Sequence, residues 1–234
     1  MRDSVVGQER PEIGAGLPVV HDTMAIMTAT AKFTAEWLHS LGDVPLERII
    51  FDPPPGTATE EDLLRLVERD KRLCELIDGT LVEKPMGFWE GQIAARLIVL
   101  LSNFADPGDL GGVFAPNSTM RMRSGHIRLP DVSFIAKDRL PTTRQAVPTI
   151  APDLAVEVLS ESNTDREIAL KLIEYFQSGT RLAWVIDPDP RTVAVYHKPG
   201  EPTVVLDERG ELHGDQVLPG LRILIADLFR GVPR

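Results

Sequence analysis

The chain has 234 residues, 43% of them hydrophobic, which is ordinary for one globular domain with a real core, with or without an appendage. Its formal net charge of −10 argues mildly against a nucleic-acid partner, because phosphate binding rests on Lys and Arg. A single cysteine, Cys74, excludes an intrachain disulfide, and the longest apolar run, "IAARLIVLL", is about half of what a bilayer-spanning helix needs.

Residues 1 to about 28 carry Gly, Pro and scattered charge without periodicity and read as loosely ordered. No basic stretch followed by an apolar core marks a secretory signal, so a cytoplasmic protein is the default expectation. "TAKFTAEWLHSL" reads as a short amphipathic helix, closing an N-terminal extension over residues 1–43. The main domain is then expected over residues 44–234. It opens with the rigid loop "DPPPGTATE". There, Thr57-Ala58-Thr59-Glu60 has capping-box spacing and launches the helix "EEDLLRLVER". "CELIDGTLVEKP" is a hairpin around Asp78-Gly79, and "EGQIAARLIVLLSNFA" a buried helix.

A strand-rich stretch follows. "STMRMR" and "IRLPDVSFIA" are joined by a turn at Ser124-Gly125-His126, and "APDLAVEVLS" is the next strand. "NTDREIALKLIEYFQSG" is a helix capped by Asn163 or Thr164 and stopped by Gly179. "RLAWVID", "TVAVYH" and "TVVLD" are strands between Pro and Gly turns. A meander, a crossover helix and more strands predict an α/β or α+β fold, a mixed sheet with helices packed on it.

Glu157 is the anomaly in this pattern. In "PDLAVEVLS", Leu154, Val156 and Val158 share one face, while Glu157 shares the other with Ala155 and Leu159. An unpartnered carboxylate buried there costs several kcal/mol, so something should compensate it. Asp131, after Pro130 on the preceding strand, could reach the same sheet edge, and Glu90 starts the helix beside Trp89. Gathered carboxylates repel unless a cation holds them, and hard oxygens suit Mg²⁺ or Mn²⁺. Each has an ordinary alternative. Asp131 could cap a turn, Glu157 could pair with an Arg, and Glu90 could sit in the first turn of its helix, favoured by the dipole. The run Arg121, Arg123, Arg128, Lys137, Arg139 and Arg144 is a local basic patch or simply solvated surface. No phosphate loop, G-x-S-x-G or H-E-x-x-H is present, and the five histidines are scattered.

"RLPDVSFI", "PDLAVEVLSESNT" and "KLIEYFQSGTRLAWVIDP" with "RTVAVYH" resemble the Uma2 family of endonucleases, within the PD-(D/E)xK superfamily. "RLCELIDGTLVEKPMGFWE" is similar to that family's N-terminal hairpin and helix start, and the resemblance runs from about residue 44 to 198. It implies a restriction-endonuclease-like mixed sheet flanked by helices and Mg²⁺- or Mn²⁺-dependent hydrolysis of DNA, with a homodimer allowed. Asp131 and Glu157 would bind the metal, with Glu90 near the superfamily's acidic helix position. The strand reads Glu157-Val158-Leu159, with an aliphatic where the superfamily has its lysine. The resemblance moves that role to Lys171 on the following helix, one turn before Tyr175. Unaided, Lys171 could equally snorkel to water or pair with Glu174. Arg121, Arg123, Arg128 and Tyr175 are the expected substrate contacts. The acidic charge and the missing strand lysine favour the alternative, a catalytically silent nuclease-fold module for binding or assembly.

Overall fold

The structure, a computed structural model, describes residues 33–84 and 87–233. The chain divides into two units, residues 1–37 and residues 38–234. The irregular start expected over residues 1–28 lies outside the described residues. The short helix expected near residue 35 is α1 (Ala35–Ser40).

The larger unit opens with β1 (Ile49–Ile50) and α2 (Glu60–Asp70). Its capping box is shifted from the expected one. Thr59, not Thr57, accepts from the Asp62 amide, and the Asp62 carboxylate accepts from the Thr59 amide in return. The Thr57 hydroxyl is turned to the Pro54 carbonyl instead. The hairpin of β2 (Cys74–Ile77) and β3 (Thr80–Glu83) closes on Asp78-Gly79. Their φ values of 46° and 69° are the left-handed pair that a two-residue hairpin turn requires. Next come α3 (Phe88–Ala105), starting two residues before the expected position, and β4 (Gly111–Phe114).

The single strand expected over 127–136 is interrupted. β5 (Met120–Arg121) pairs with β6 (Ile127–Arg128), while β7 (Val132–Ala136) belongs to a different sheet. Pro130 has no N–H for a ladder, so the strand breaks there and Asp131 falls at the junction. β8 (Leu154–Val158) leads through α4 (Asp165–Ser178) to β9 (Leu182–Asp187), then β10 (Thr192–Tyr196) and β11 (Val204–Leu206). β12 (Glu211–His213), β13 (Arg222–Leu224) and α5 (Ile225–Leu228) complete the unit. β4, β12 and β13 have no expected counterpart; "GGVF", "ELH" and "RIL" are too short to show alternation.

One sheet is antiparallel in the order β1-β3-β2-β6-β5. The other is mixed, in the order β11-β10-β9-β8-β7-β4, with β8 and β9 parallel across the α4 crossover. β12 and β13 form a separate pair. This is an α+β fold of sheets flanked by helices, as the sequence pattern predicts. Period-two alternation sorts β8. Leu154, Val156 and Val158 pack with Phe134, Trp184 and the α3 residues Ile93 and Leu97. Ala155 packs on the other side with Ile168, Leu172 and Tyr175 of α4. Glu157 shares that second face, so α4 must answer its charge.

α4 is held at both ends. Thr164 Oγ1 accepts from the Glu167 amide at 3.0 Å and donates to the Gly42 carbonyl, and Gly179 ends the helix at φ 112°. Thr164→Ala removes both side-chain bonds and is expected to cost about 1 kcal/mol. Urea unfolding checks this as a lowered midpoint at unchanged slope.

Candidate active site

Asp131 is placed by the Pro130 break and by β8. Its amide donates to the Val156 carbonyl at 2.9 Å, and its Oδ2 accepts from the Val158 amide at 2.8 Å. One carboxylate oxygen thus caps the neighbouring backbone, leaving Oδ1 to face the interior, 3.0 Å from the Lys84 ammonium. Lys84 follows β3 and is pinned by its own amide, which donates to the Leu73 carbonyl at 2.8 Å. The Lys84 ammonium also donates to the Leu129 carbonyl and to Glu157 Oε2, the latter at 3.1 Å. Three oxygens from β8 and the β6–β7 junction therefore converge on one cation.

Glu157 has partners on both oxygens. Oε1 accepts from the Tyr175 hydroxyl at 2.5 Å, and Oε2 lies 3.3 Å from the Lys171 ammonium as well as beside Lys84. Lys171 is 1% exposed, so it does not snorkel to water, and its carboxylate partners among the described residues are Glu157, Glu75 and Glu167 rather than Glu174. Glu75 lies at 3.2 Å and Glu167 at 3.9 Å.

The charge network continues outward. Glu75 takes Arg128 at 2.8 Å and the Leu129 amide at 3.2 Å; Arg128 reaches on to Glu174 at 2.6 Å. Glu174 lies 2.7 Å from His126 Nδ1, as an ion pair rather than an aligned hydrogen bond, and His126 Nε2 meets Asp78 at 2.9 Å. On the other flank, Glu167 is held by both terminal nitrogens of Arg48, at 2.8 and 2.7 Å. Burial opposes the charges on Glu75, Arg128, Glu167 and Glu174, and the pairing overcomes it. Burial alone would raise the Glu75 carboxyl, but the Lys171, Arg128 and Lys84 charges hold it well below the carboxylate range. Burial would lower the Lys84 pKa, but Asp131, Glu157 and Glu75 hold it above the usual lysine range. Burial and the neighbouring carboxylates push the Tyr175 hydroxyl well up, so it stays protonated and donates.

The structure thus brings together Asp131, Glu157, Lys171 and Tyr175, but leaves out other expected site residues. The Glu90 carboxylate folds back over Gly87 at the start of α3, the arrangement that the helix dipole favours. Among the described residues no three His, Cys, Asp or Glu side chains gather as a metal site. Arg128, expected to face substrate, is 4% exposed and locked between two glutamates. Tyr175, also expected at substrate, is 0% exposed and serves Glu157. Arg121 pairs with Glu60 and with Thr149, and Arg123 is exposed; with Arg139 they line an open cavity of about 620 Å³. Sequence reasoning missed Lys84 and Glu75. Glu75 in the apolar strand "CELI" carries the same signal that singled out Glu157, but Lys84 at a strand end looks like surface.

The model of the Uma2 family, described as "Putative restriction endonuclease", matches residues 60–226. A crystal structure of a "putative nuclease belonging to DUF820" from Anabaena variabilis ATCC 29413 is similar at 26% identity, with a TM-score of 0.61. The match covers 67% of this chain and 89% of that one. No curated protein matches. Among the described residues no helix is long and apolar enough to cross a membrane.

The Glu174 ion pair raises the His126 pKa; burial works against it, Asp78 adds to it, and the Arg128 charge subtracts. The Glu174 carboxyl is held down at about 2, against burial, by His126, Arg128 and Ser124. A raised histidine stabilises fully below its unfolded pKa of about 6.5, and the contribution is lost as pH rises through the folded value. Urea midpoints are therefore expected to fall as pH rises from about 6.5 through the raised folded-state value. His126→Gln should flatten that part of the profile.

Proposed function

The chain belongs to the Uma2 family, and from that premise we propose that it is a divalent-metal-dependent endonuclease hydrolysing DNA phosphodiester bonds. One observation carries the reading: Asp131, just before β7, and Glu157 on the adjacent β8 converge with the Leu129 carbonyl on a single cationic centre. Two carboxylates and a carbonyl are the hard donors that suit Mg²⁺ or Mn²⁺. Asp131 and Glu157 would hold the ion, which when bound supplies an activated water and charge neutralisation at phosphorus.

The remaining work falls to the chain itself. The Val158 amide and the Tyr175 hydroxyl fix one oxygen of each carboxylate, so the other oxygen of each stays aimed at the shared centre. Lys171 touches Glu157 from behind and is too deeply buried to meet a substrate, which makes it a positioning residue for that carboxylate. Arg123, exposed, and Arg121, which also pairs with Glu60, line the open cavity and are assigned to phosphate contact.

A second reading, a silent nuclease-fold module for binding or assembly, is favoured by the Lys84 ammonium, which already neutralises the carboxylate pair. Incubation with plasmid DNA, RNA and a simple phosphodiester in Mg²⁺ or Mn²⁺ separates the two. Metal-dependent nicking of the plasmid supports the endonuclease; no turnover on any of the three supports the module. In the endonuclease case, Asp131→Asn is expected to lower cleavage by about a hundredfold or more. Its circular dichroism should be unchanged, because an amide oxygen can still accept from the Val158 amide. Undiminished cleavage by this variant would place the chemistry elsewhere.

A further inference from the structure

Two lysines touch the same oxygen of Glu157, but they are anchored differently. Lys171 has Glu75 at 3.2 Å and Glu167 at 3.9 Å in addition to Glu157. Among the described residues, the Lys84 ammonium has the three oxygens of the shared centre as its direct partners: the Leu129 carbonyl, Asp131 Oδ1 and Glu157 Oε2. If the Asp131 and Glu157 oxygens were taken by another cation, Lys171 would keep carboxylate partners and Lys84 would keep none in direct contact. The Lys84 backbone is fixed through Leu73, so what can move is its four-carbon stem.

We propose that Lys84 is a tethered counter-ion that competes with a hard divalent cation for the oxygen cage of Leu129, Asp131 and Glu157. The inference rests on the metal-dependent reading of the site, and its physical basis is charge and space. The ammonium sits at hydrogen-bond distance from both carboxylates, where a divalent ion sharing them would also have to sit. With Lys84 in place, the two carboxylates already face two ammonium groups. An added divalent charge would meet repulsion from Lys84 at contact distance and from Lys171 behind it. Exchange removes the nearer of these and leaves the other held by Glu75. The same arrangement lets the site fold without metal, since neither carboxylate is left buried and unpaired. It also predicts that metal affinity in the natural chain is held down by its own lysine.

The test uses the full chain and Mn²⁺. Calorimetric titration should show Lys84→Met binding Mn²⁺ at least about tenfold more tightly than the natural protein. In chelator the variant should melt at a lower temperature, and Mn²⁺ should raise its melting point more than that of the natural chain. Equal or weaker Mn²⁺ affinity in Lys84→Met overturns the proposal, as does a variant that stays unfolded at millimolar Mn²⁺. A second measurement needs no variant. Lys84 in the natural protein should be protected from an amine-reactive ester and become labelled when Mn²⁺ is added, read by mass spectrometry of its peptide. Protection unchanged by saturating Mn²⁺ also overturns it. Failure of the nuclease reading is told apart. Tighter binding by the variant without any DNA cleavage by the natural chain would sink the nuclease and leave the exchange standing. Metal-dependent cleavage with unaltered affinity would do the reverse.

Discussion

A carboxylate buried in the middle of a strand is the constraint around which this molecule is organised. Glu157 belongs to β8, the strand that joins the antiparallel part of the mixed sheet to its parallel part. Left alone, its charge would cost several kcal/mol. The fold answers by drawing cations and donors from two places: Lys84 from the end of β3, and Lys171 with Tyr175 from α4. The cations need partners of their own, so the requirement spreads. Lys171 needs Glu75, Glu75 needs Arg128, and Arg128 needs Glu174. Breaking one such pair leaves the next charge uncompensated, so the network acts as a unit rather than as separate salt bridges.

This network also explains the tie between the two sheets. The break at Pro130 sends one continuous segment from the antiparallel sheet into the mixed one. Leu129 and Asp131, on either side of the break, both end on the Lys84 ammonium. Lys84 itself extends from β3, in the antiparallel sheet. The site is therefore the seam of the two sheets. Its residues are set by backbone that both sheets hold, which is how a loop position such as Asp131 acquires a fixed geometry.

What the sequence made legible follows from locality. The Asp78-Gly79 turn, the α4 caps and the alternation of β8 are decided within a few residues, and the structure has them as read. The Thr59 cap differs by two positions because Thr57 found a nearer acceptor in Pro54. Lys84 was invisible because its partner Glu157 lies 73 residues away, and a lysine closing "LVEK" ordinarily marks a solvated strand end. Arg128 was misread for the opposite reason. Standing among arginines, it looked like one more surface charge, whereas alternation on the short β6 turns it inward to Glu75. Charge type is written in the sequence; which charges meet is written only in the long-range pairing of strands.

That inward turn changes how the chain would meet DNA. Counted by residue, the stretch from 121 to 144 is a basic patch. Counted by pairing, Arg128 is consumed by two glutamates, Arg121 faces Glu60, Lys137 faces Asp109 and Arg139 faces Asp153. Arg123 and Arg144 are the members of the run without an ion pair among the described residues. With a net charge of −10, such a protein has little long-range field to draw a polyanion in. Binding would then rest on a few short-range contacts at the site, with a shallow dependence on salt, since few condensed counterions are released per contact. The positive charge this chain does concentrate is internal, on Lys84, Lys171, Arg128 and Arg48, where it holds carboxylates in place and reaches phosphate only if one of those cations is released.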